Sequence, residues 1–139
     1  VFKRYPSSLQ KNIIETKFLA NVKKDGKFFY FASNGNLIEA QEEIKEIPYI
    51  FGKFDKQNFF ILKNIIDKSN LNFKEIKKLF FFPSGRWDIE LNSGVIIKLP
   101  KDQLKESLNL TINLLRNKSF ENTKLIDVRQ ESQVILNGK

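Results

Sequence analysis

Few side chains in this sequence are suited to catalysis. The 139 residues contain no His and no Cys, which excludes a Ser-His or Cys-His catalytic pair, a disulfide and a metal site built from these ligands. Acid–base chemistry would depend on carboxylates or lysines. The densest carboxylate cluster consists of Glu39, Glu42, Glu43 and Glu46, with Lys45 among them. It lies in a polar stretch, and we interpret it as a solvated loop.

Motifs that hold a cofactor are also missing from the chain. Phosphate-binding loops need several glycines close together, whereas the six glycines here stand singly, at positions 26, 35, 52, 85, 94 and 138. No segment has the alternating acidic residues of a calcium loop. We therefore predict no enzyme, no cofactor and no metal, and we favour a binding module.

The positive charge of the chain has two interpretations. A net charge of +8 and a pI near 9.6 are compatible with a domain that binds nucleic acid. The lysines, however, are scattered, and the chain is rich in Lys, Asn, Ile and Phe, the residues that an AT-rich genome favours. Nucleic-acid binders concentrate their charge on one face, so we favour the compositional explanation and keep nucleic-acid binding as an alternative.

Turn signals divide much of the chain into two three-stranded meanders. Asp25-Gly26 and Asn34-Gly35 suit tight hairpin turns because they tolerate positive φ angles. The predicted strands of the first meander are Phe18–Lys23, Lys27–Ala32 and Leu37–Ala40, and those of the second are Phe73–Phe82, Arg86–Leu91 and Val95–Leu99.

Two segments have helical spacing instead. One begins after Asp55, a predicted N-cap, and repeats apolar residues as far as Ile66; the other begins at Asp102. Two strand-like segments, Thr123–Arg129 and Gln133–Asn137, follow the second helix. The predicted fold class is α+β, with a largely antiparallel β-sheet and two helices packed against it.

Five segments occur in an order that is typical of one family. They are Arg4–Leu9 followed by Ile14-Glu15, Gly26–Gly35, Ile47–Gly52, Gly85–Gly94 and Ile126–Arg129. Each is similar to a short motif: R-x-(W/Y)-P-x-x-L, a glycine-bounded hairpin, L-P-x-(I/L)-x-G, R-x-W-x-(I/L)-x-L-x-x-G and (V/I)-D-(L/M)-R. In this order the chain resembles the FtsQ/DivIB family of bacterial cell-division proteins over nearly its whole length.

The resemblance implies a non-enzymatic assembly protein of the divisome. Residues 1–20 would be the last strand of a POTRA domain, and residues 21–139 the family's β domain. Members of the family are single-pass inner-membrane proteins, so we expect a membrane helix outside this chain, with this portion in the periplasm at the division septum. The lack of Cys suits that compartment.

The resemblance also implies partners and a binding surface. The family's β domain recruits FtsB, and FtsL through it, by adding a partner strand to the edge formed by its last strand. Here that edge would be residues 125–138. The predicted partner-binding residues are Leu125, Arg129, Gln130, Ser132, Gln133, Val134, Ile135, Leu136 and Gly138.

Several of these positions differ from the family pattern. Gln130 and Gly138 stand where aromatic residues are frequent, and Gln133 stands where Gly is frequent. We therefore expect docking to depend mainly on backbone pairing. Arg129 is expected to meet an acidic residue of the partner, whereas Asp127 is as well suited to an ion pair within the domain. Two alternatives stay open: an edge without a partner, and a POTRA-linked module of another envelope pathway.

Overall fold

The computed structural model describes residues 17–117, 122–129 and 135–137. Within these ranges nine strands form one sheet, in the order β3-β2-β1-β4-β5-β6-β7-β8-β9. The strands are β1 (Phe18–Lys24), β2 (Lys27–Ala32), β3 (Leu37–Ala40), β4 (Tyr49–Phe51), β5 (Ile76–Phe81), β6 (Trp87–Leu91), β7 (Ile96–Lys98), β8 (Leu125–Asp127) and β9 (Ile135–Asn137). The helices are α1 (Lys56–Asp67) and α2 (Leu104–Arg116).

Both predicted meanders are confirmed. Asp25 and Gly26 have φ angles of 54° and 78°, which are the left-handed values of a two-residue hairpin turn. β1 and β2 pair in antiparallel orientation around this turn, and β3 continues the meander on the outer side of β2. The second meander consists of β5, β6 and β7, also antiparallel.

The sheet contains parallel pairings that the turn pattern does not indicate. β4 lies between β1 and β5 and runs parallel to both, and β8 runs parallel to β7. β4 has only three residues, and its position depends on two strands distant in sequence. Gly52 follows the strand directly with a φ of 97°, and an added Cβ at this position would collide with the carbonyl oxygen of Phe81. No other residue fits this approach.

Several predicted strands are shorter than expected, two of them markedly. The strand predicted from Phe73 begins at Ile76, because Asn72 and Glu75 form a capping box around a short 3₁₀ helix, Phe73–Glu75. The strand predicted over Thr123–Arg129 is regular only from Leu125 to Asp127. The predicted strand Gln133–Asn137 is described only over Ile135–Asn137.

Both helices pack on the same face of the sheet. Asp55 caps α1 as predicted, accepting a hydrogen bond of 2.7 Å from the N–H of Asn58. α2 begins at Leu104 rather than at Asp102, after Gln103 in a left-handed conformation. The buried residues of the helices and of the strands form one hydrophobic cluster. Its helical members are Phe59, Leu62, Ile66, Leu108 and Ile112, and the α+β fold class is confirmed.

The opposite face of the sheet, which we call the open face, has no helix over it in the described part of the chain. Side chains alternate between the two faces along a strand, so Phe80 lies on the open face while Phe81 points toward the core cluster. Phe80 stacks on Phe51 at 5.2 Å between ring centroids, and Phe51 stacks on Tyr49 at 5.7 Å. The aromatic residues of the central strands are therefore distributed over both faces of the sheet.

The predicted division of the chain into a POTRA strand and a β domain stays a prediction. Most of the first segment, residues 1–16, lies outside the described residues, and Phe18–Ala20 belong to β1.

Candidate partner-binding edge

β8 is held in the sheet by a single fully buried side chain and its neighbours. Ile126 is 0% exposed and lies in the core cluster with Val128. Burying an Ile side chain contributes about 1.5–3 kcal/mol. Alternation along the strand places Leu125 and Asp127 on the open face. The core contacts of Ile126 thus hold β8 in place, and the alternation along β8 then determines which side chains lie on the open face.

β9 pairs with β8 in antiparallel orientation and is the last strand of the described sheet. Leu136 lies opposite Ile126 and packs against the core cluster. Ile135 lies opposite Asp127 on the open face and is 51% exposed. The strand therefore has one side chain that anchors it and one that is available to a partner.

The hydrogen-bond pattern shows which backbone groups of β9 face outward. Ile96 donates to the carbonyl of Lys124 at 2.9 Å, and Val128 donates to the carbonyl of Lys98 at 3.0 Å. Residues 124, 126 and 128 thus direct their backbone groups to β7, and residues 125 and 127 direct theirs to β9. Because antiparallel pairs alternate, Ile135 and Asn137 bond to β8, while the N–H and C=O of Leu136 point away from the sheet.

Arg129 and Asp127 form a two-pronged ion pair beside this edge. The Arg129 Nε and Nη2 atoms donate to the two Asp127 carboxylate oxygens at 2.8 and 2.6 Å, and the Arg129 backbone N–H also donates to that carboxylate at 3.1 Å. These side-chain hydrogen bonds hold the pKa of Asp127 below its usual value, although desolvation acts to raise it. The same pairing raises the pKa of Arg129. The sequence left open whether Asp127 has a role within the domain or in binding. In the structure Asp127 forms an ion pair within the domain, with Arg129.

Charges of alternating sign continue from this pair across the open face. Lys98 lies opposite Asp127 on one side and Asp88 on the other, and Arg86 donates to Asp88 at 2.9 Å. Lys98 also contributes to lowering the pKa of Asp127. Arg86 and Arg129 both line a cleft of about 550 Å³ beside the start of α2. The cleft and the ion pairs are tertiary features that the sequence pattern did not reveal.

The structure brings four of the predicted binding residues together. Leu125, Arg129 and Ile135 lie on the open face at the β8–β9 edge, and Leu136 presents backbone there while its side chain faces the core. Arg129 already has an intrachain partner, and its side chain is 43% exposed. The remaining predicted residues lie outside the described part of the chain: Gln130, Ser132, Gln133, Val134 and Gly138.

A hydrogen-bond network around Asn21, which the sequence pattern did not reveal, lies on the open face near β1. The buried Asn21 side chain donates to the carbonyls of Ile44 and Ile47, at 2.7 and 3.2 Å, and accepts from the N–H of Ile44 at 2.9 Å. It pins the acidic loop of residues 41–48 to the sheet. In that loop Glu43 accepts a hydrogen bond from Tyr49, and burial together with this bond raises the pKa of Tyr49 to about 12.

The described residues contain neither an acidic cluster for a metal ion nor a membrane-spanning helix. Within the described residues there is no group of three or more acidic side chains that could hold a metal ion. None of the helices in the same ranges is long and apolar enough to cross a membrane.

Comparisons with known proteins agree with the fold and with the family that the motifs indicate. Residues 20–129 match the family model described as cell division protein FtsQ/DivIB, C-terminal. Among solved structures, the major extracytoplasmic domain of the cell division protein DivIB from Geobacillus stearothermophilus matches with a TM-score of 0.50 and 17% identity, over 68% of this chain and 86% of that one. The search of curated proteins found no match. The chain belongs to the FtsQ/DivIB family of bacterial cell-division proteins.

Proposed function

We propose that this chain is a periplasmic, non-enzymatic domain of a divisome protein that binds FtsB, and FtsL through it, by strand addition at β9. The observation that carries the proposal is the outward direction of the Leu136 N–H and C=O on the terminal strand of the sheet. Unpaired edge groups accept an extended partner segment through main-chain hydrogen bonds. Family membership favours this function over a module of another envelope pathway or a nucleic-acid-binding domain. A membrane helix outside this chain would anchor the protein at the septum.

The side chains around β9 would supply specificity. Ile135 offers an apolar surface next to the incoming strand. Arg129 uses Nε and Nη2 to hold Asp127, and its Nη1 has no acceptor among the described residues. A partner carboxylate can therefore bind the free side of the guanidinium while the intrachain pair stays intact, because Arg carries five N–H donors. The ion pair with Asp127 thus holds the Arg129 side chain in a fixed orientation before a partner binds.

The main test is calorimetric titration of the 139-residue chain with the periplasmic C-terminal segment of FtsB from the same organism. Leu136→Pro removes the outward N–H, and we expect it to abolish measurable binding. Leu136→Ala keeps that N–H and reports the loss of the side chain alone. Leu37→Pro is the matched control, because Leu37 occupies the corresponding outward position on the opposite edge, β3. Circular dichroism establishes that each variant is folded.

The outcomes of this test separate function from mechanism. Binding that Leu136→Pro abolishes and Leu37→Pro preserves supports strand addition at β9. Binding that survives both prolines contradicts the proposed edge. Absence of binding by the wild-type chain at high micromolar concentration contradicts the proposed partner.

A second pair of variants tests the side-chain contribution. Ile135→Ala should weaken binding about fivefold, since a truncated interface contact of this kind costs about 1 kcal/mol. Ile61→Ala is the control, because Ile61 is 49% exposed on α1, away from the edge, and should leave the affinity unchanged. Equal effects of the two variants would exclude Ile135 as a contact.

A further inference from the structure

We propose that a cationic groove at the opposite end of the sheet binds an acidic segment of a protein partner that inserts one apolar side chain. The groove encloses about 700 Å³ and is bounded by β1, the start of β3, the end of β4 and the start of α1. It is far from β9 in the strand order. The proposal therefore stands whether or not FtsB binds at β9.

The floor of the groove is apolar. It is formed by Val22, Phe31, Ile50 and Phe54, with Leu37 at the rim. Leu37 is 44% exposed, because the β1–β3 meander extends beyond the surface that α1 covers. Gly52 forms part of one wall, where no side chain can be added. An apolar side chain of a partner would remove this surface from water, which is the main favourable term in association.

The rim of the groove carries unneutralised positive charge. The side chains of Lys24, Lys53 and Lys56 line it together with a single carboxylate, Asp25. These three side chains form no ion pair or hydrogen bond with any described residue. Lys23 also borders the groove, but its ammonium group lies over the ring of Phe28 on the other face. By contrast, Lys63 on α1 is paired with Asp67 at 2.7 Å.

This combination selects the chemistry of the occupant. Clustered ammonium groups attract carboxylates and repel cations, while a pocket with an apolar floor accepts a hydrophobic anchor. At the rim, the backbone N–H and C=O of Leu37 point away from β2, since Ala32 and Tyr30 pair inward with Asn36 and Ile38. An extended peptide can bond to these groups. A lipid headgroup offers no such main-chain partner, so the observations favour a peptide over a membrane surface.

The test uses a defined probe, the N-acetylated peptide amide Asp-Glu-Phe-Asp-Leu-Glu-Asp. It is titrated into the ¹⁵N-labelled 139-residue chain and followed by NMR. We expect the amide signals of Gly35 and Gly52, which line the groove, to shift with a saturable dependence on peptide concentration. A neutral analogue with Asn and Gln in place of Asp and Glu should bind at least tenfold more weakly.

Two triple variants with equal change of charge separate the groove from the overall charge of +8. Replacing Lys24, Lys53 and Lys56 by Gln should weaken peptide binding about tenfold, as expected for the loss of several modest ion pairs. The control replaces three exposed lysines outside the groove by Gln and should change the affinity less than twofold. These are Lys77, Lys105 and Lys124.

A single variant tests the apolar part of the groove. Leu37→Ser keeps the charge and backbone but removes the rim side chain, and we expect about a fivefold loss of affinity. Equal weakening by the two lysine triples, or no saturable shift at 1 mM peptide, would overturn the proposal. If the chain bound phosphatidylglycerol vesicles more tightly than the peptide, and the groove lysines were needed for this, the assignment to a peptide would be overturned.

Discussion

The two ends of the sheet are built in different ways. At the β3 end, three strands follow one another along the chain and are joined by tight turns. At the β9 end, β8 reaches the sheet only after the α2 crossover and pairs with β7 in parallel orientation. The β3 end therefore depends on local turn chemistry, while the β9 end depends on contacts between residues far apart in sequence.

The outer strands at the β3 end are also less buried than those at the β9 end. Leu37 and Ile38 of β3 are both more than a third exposed, although they point to opposite faces. In contrast, Ile126 of β8 is fully buried and Leu136 of β9 packs against the core. A meander can be stable with a thinly covered outer strand because its turns hold the register. An edge formed by a crossover needs the core to hold it.

The largest expected effect comes from truncating one isoleucine at each end. Ile126→Ala should lower the free energy of unfolding by about 2–4 kcal/mol, because it leaves a cavity in the packed core. Ile38→Ala should lower it by about 1 kcal/mol or less, because Ile38 is 40% exposed. Urea unfolding followed by circular dichroism measures both. Similar losses at the two ends would show that the β9 end depends no more on the core than the β3 end does.

A smaller effect is expected from the buried amide that supports the β3 end. Asn21→Ala removes three hydrogen bonds to the loop of residues 41–48 and should cost about 2 kcal/mol. Hydrogen exchange should also increase at the Ile44 amide, which loses its acceptor. The control is Asn109→Ala at an exposed position of α2, where the better helix propensity of Ala predicts no loss of stability. A stable Asn21→Ala variant with an unchanged Ile44 amide would show that the loop does not need this anchor.

The smallest effect concerns the pH dependence of the β9 end. The pKa of Asp127 is lower in the folded chain than in the unfolded chain, so its contribution is present above the unfolded value near 4 and is lost as the pH falls through the folded value. Asp127→Asn should therefore reduce stability by about 1 kcal/mol at pH 7, and the difference from wild type should shrink as the pH falls through the folded-state pKa of Asp127. Unfolding curves at a series of pH values measure this.

The matched control lies at the other end of the sheet. Asp25 has no ion pair among the described residues and adopts a φ of 54°, a conformation that Asn tolerates well. Asp25→Asn should leave stability at pH 7 unchanged. A pH-independent loss for Asp127→Asn would mean that the carboxylate acts through packing and not through its charge.

Local signals in the sequence predicted the elements that depend on neighbouring residues. The Asp25-Gly26 turn, the Asp55 cap and the alternation of Trp87, Ile89 and Leu91 all correspond to the structure. The start of β5 was misplaced because the capping box of Asn72 and Glu75 diverts three residues into a 3₁₀ turn. That signal is present in the sequence but competes with a strand-like run of apolar residues.

The candidate edge was only partly predictable. The motif around Ile126–Arg129 located β8, but the sequence left open whether Asp127 or a partner would hold Arg129. The structure pairs them because residues 127 and 129 lie on the same face of an extended segment, within reach of one another. The groove at the β3 end was not predicted, because it is lined by segments from residue 22 to residue 56 that carry no common pattern.

Composition, turn residues and apolar spacing determined the fold class, the two meanders and the absence of His and Cys chemistry, because each depends on residue types or on short-range geometry. Only the tertiary structure decided that β4 lies between β1 and β5, that β8 joins β7 in parallel, and that Leu136 directs its backbone outward. These features depend on which strands meet across the sheet. Such pairings are selected by the shared core, to which residues from most of the described chain contribute at once.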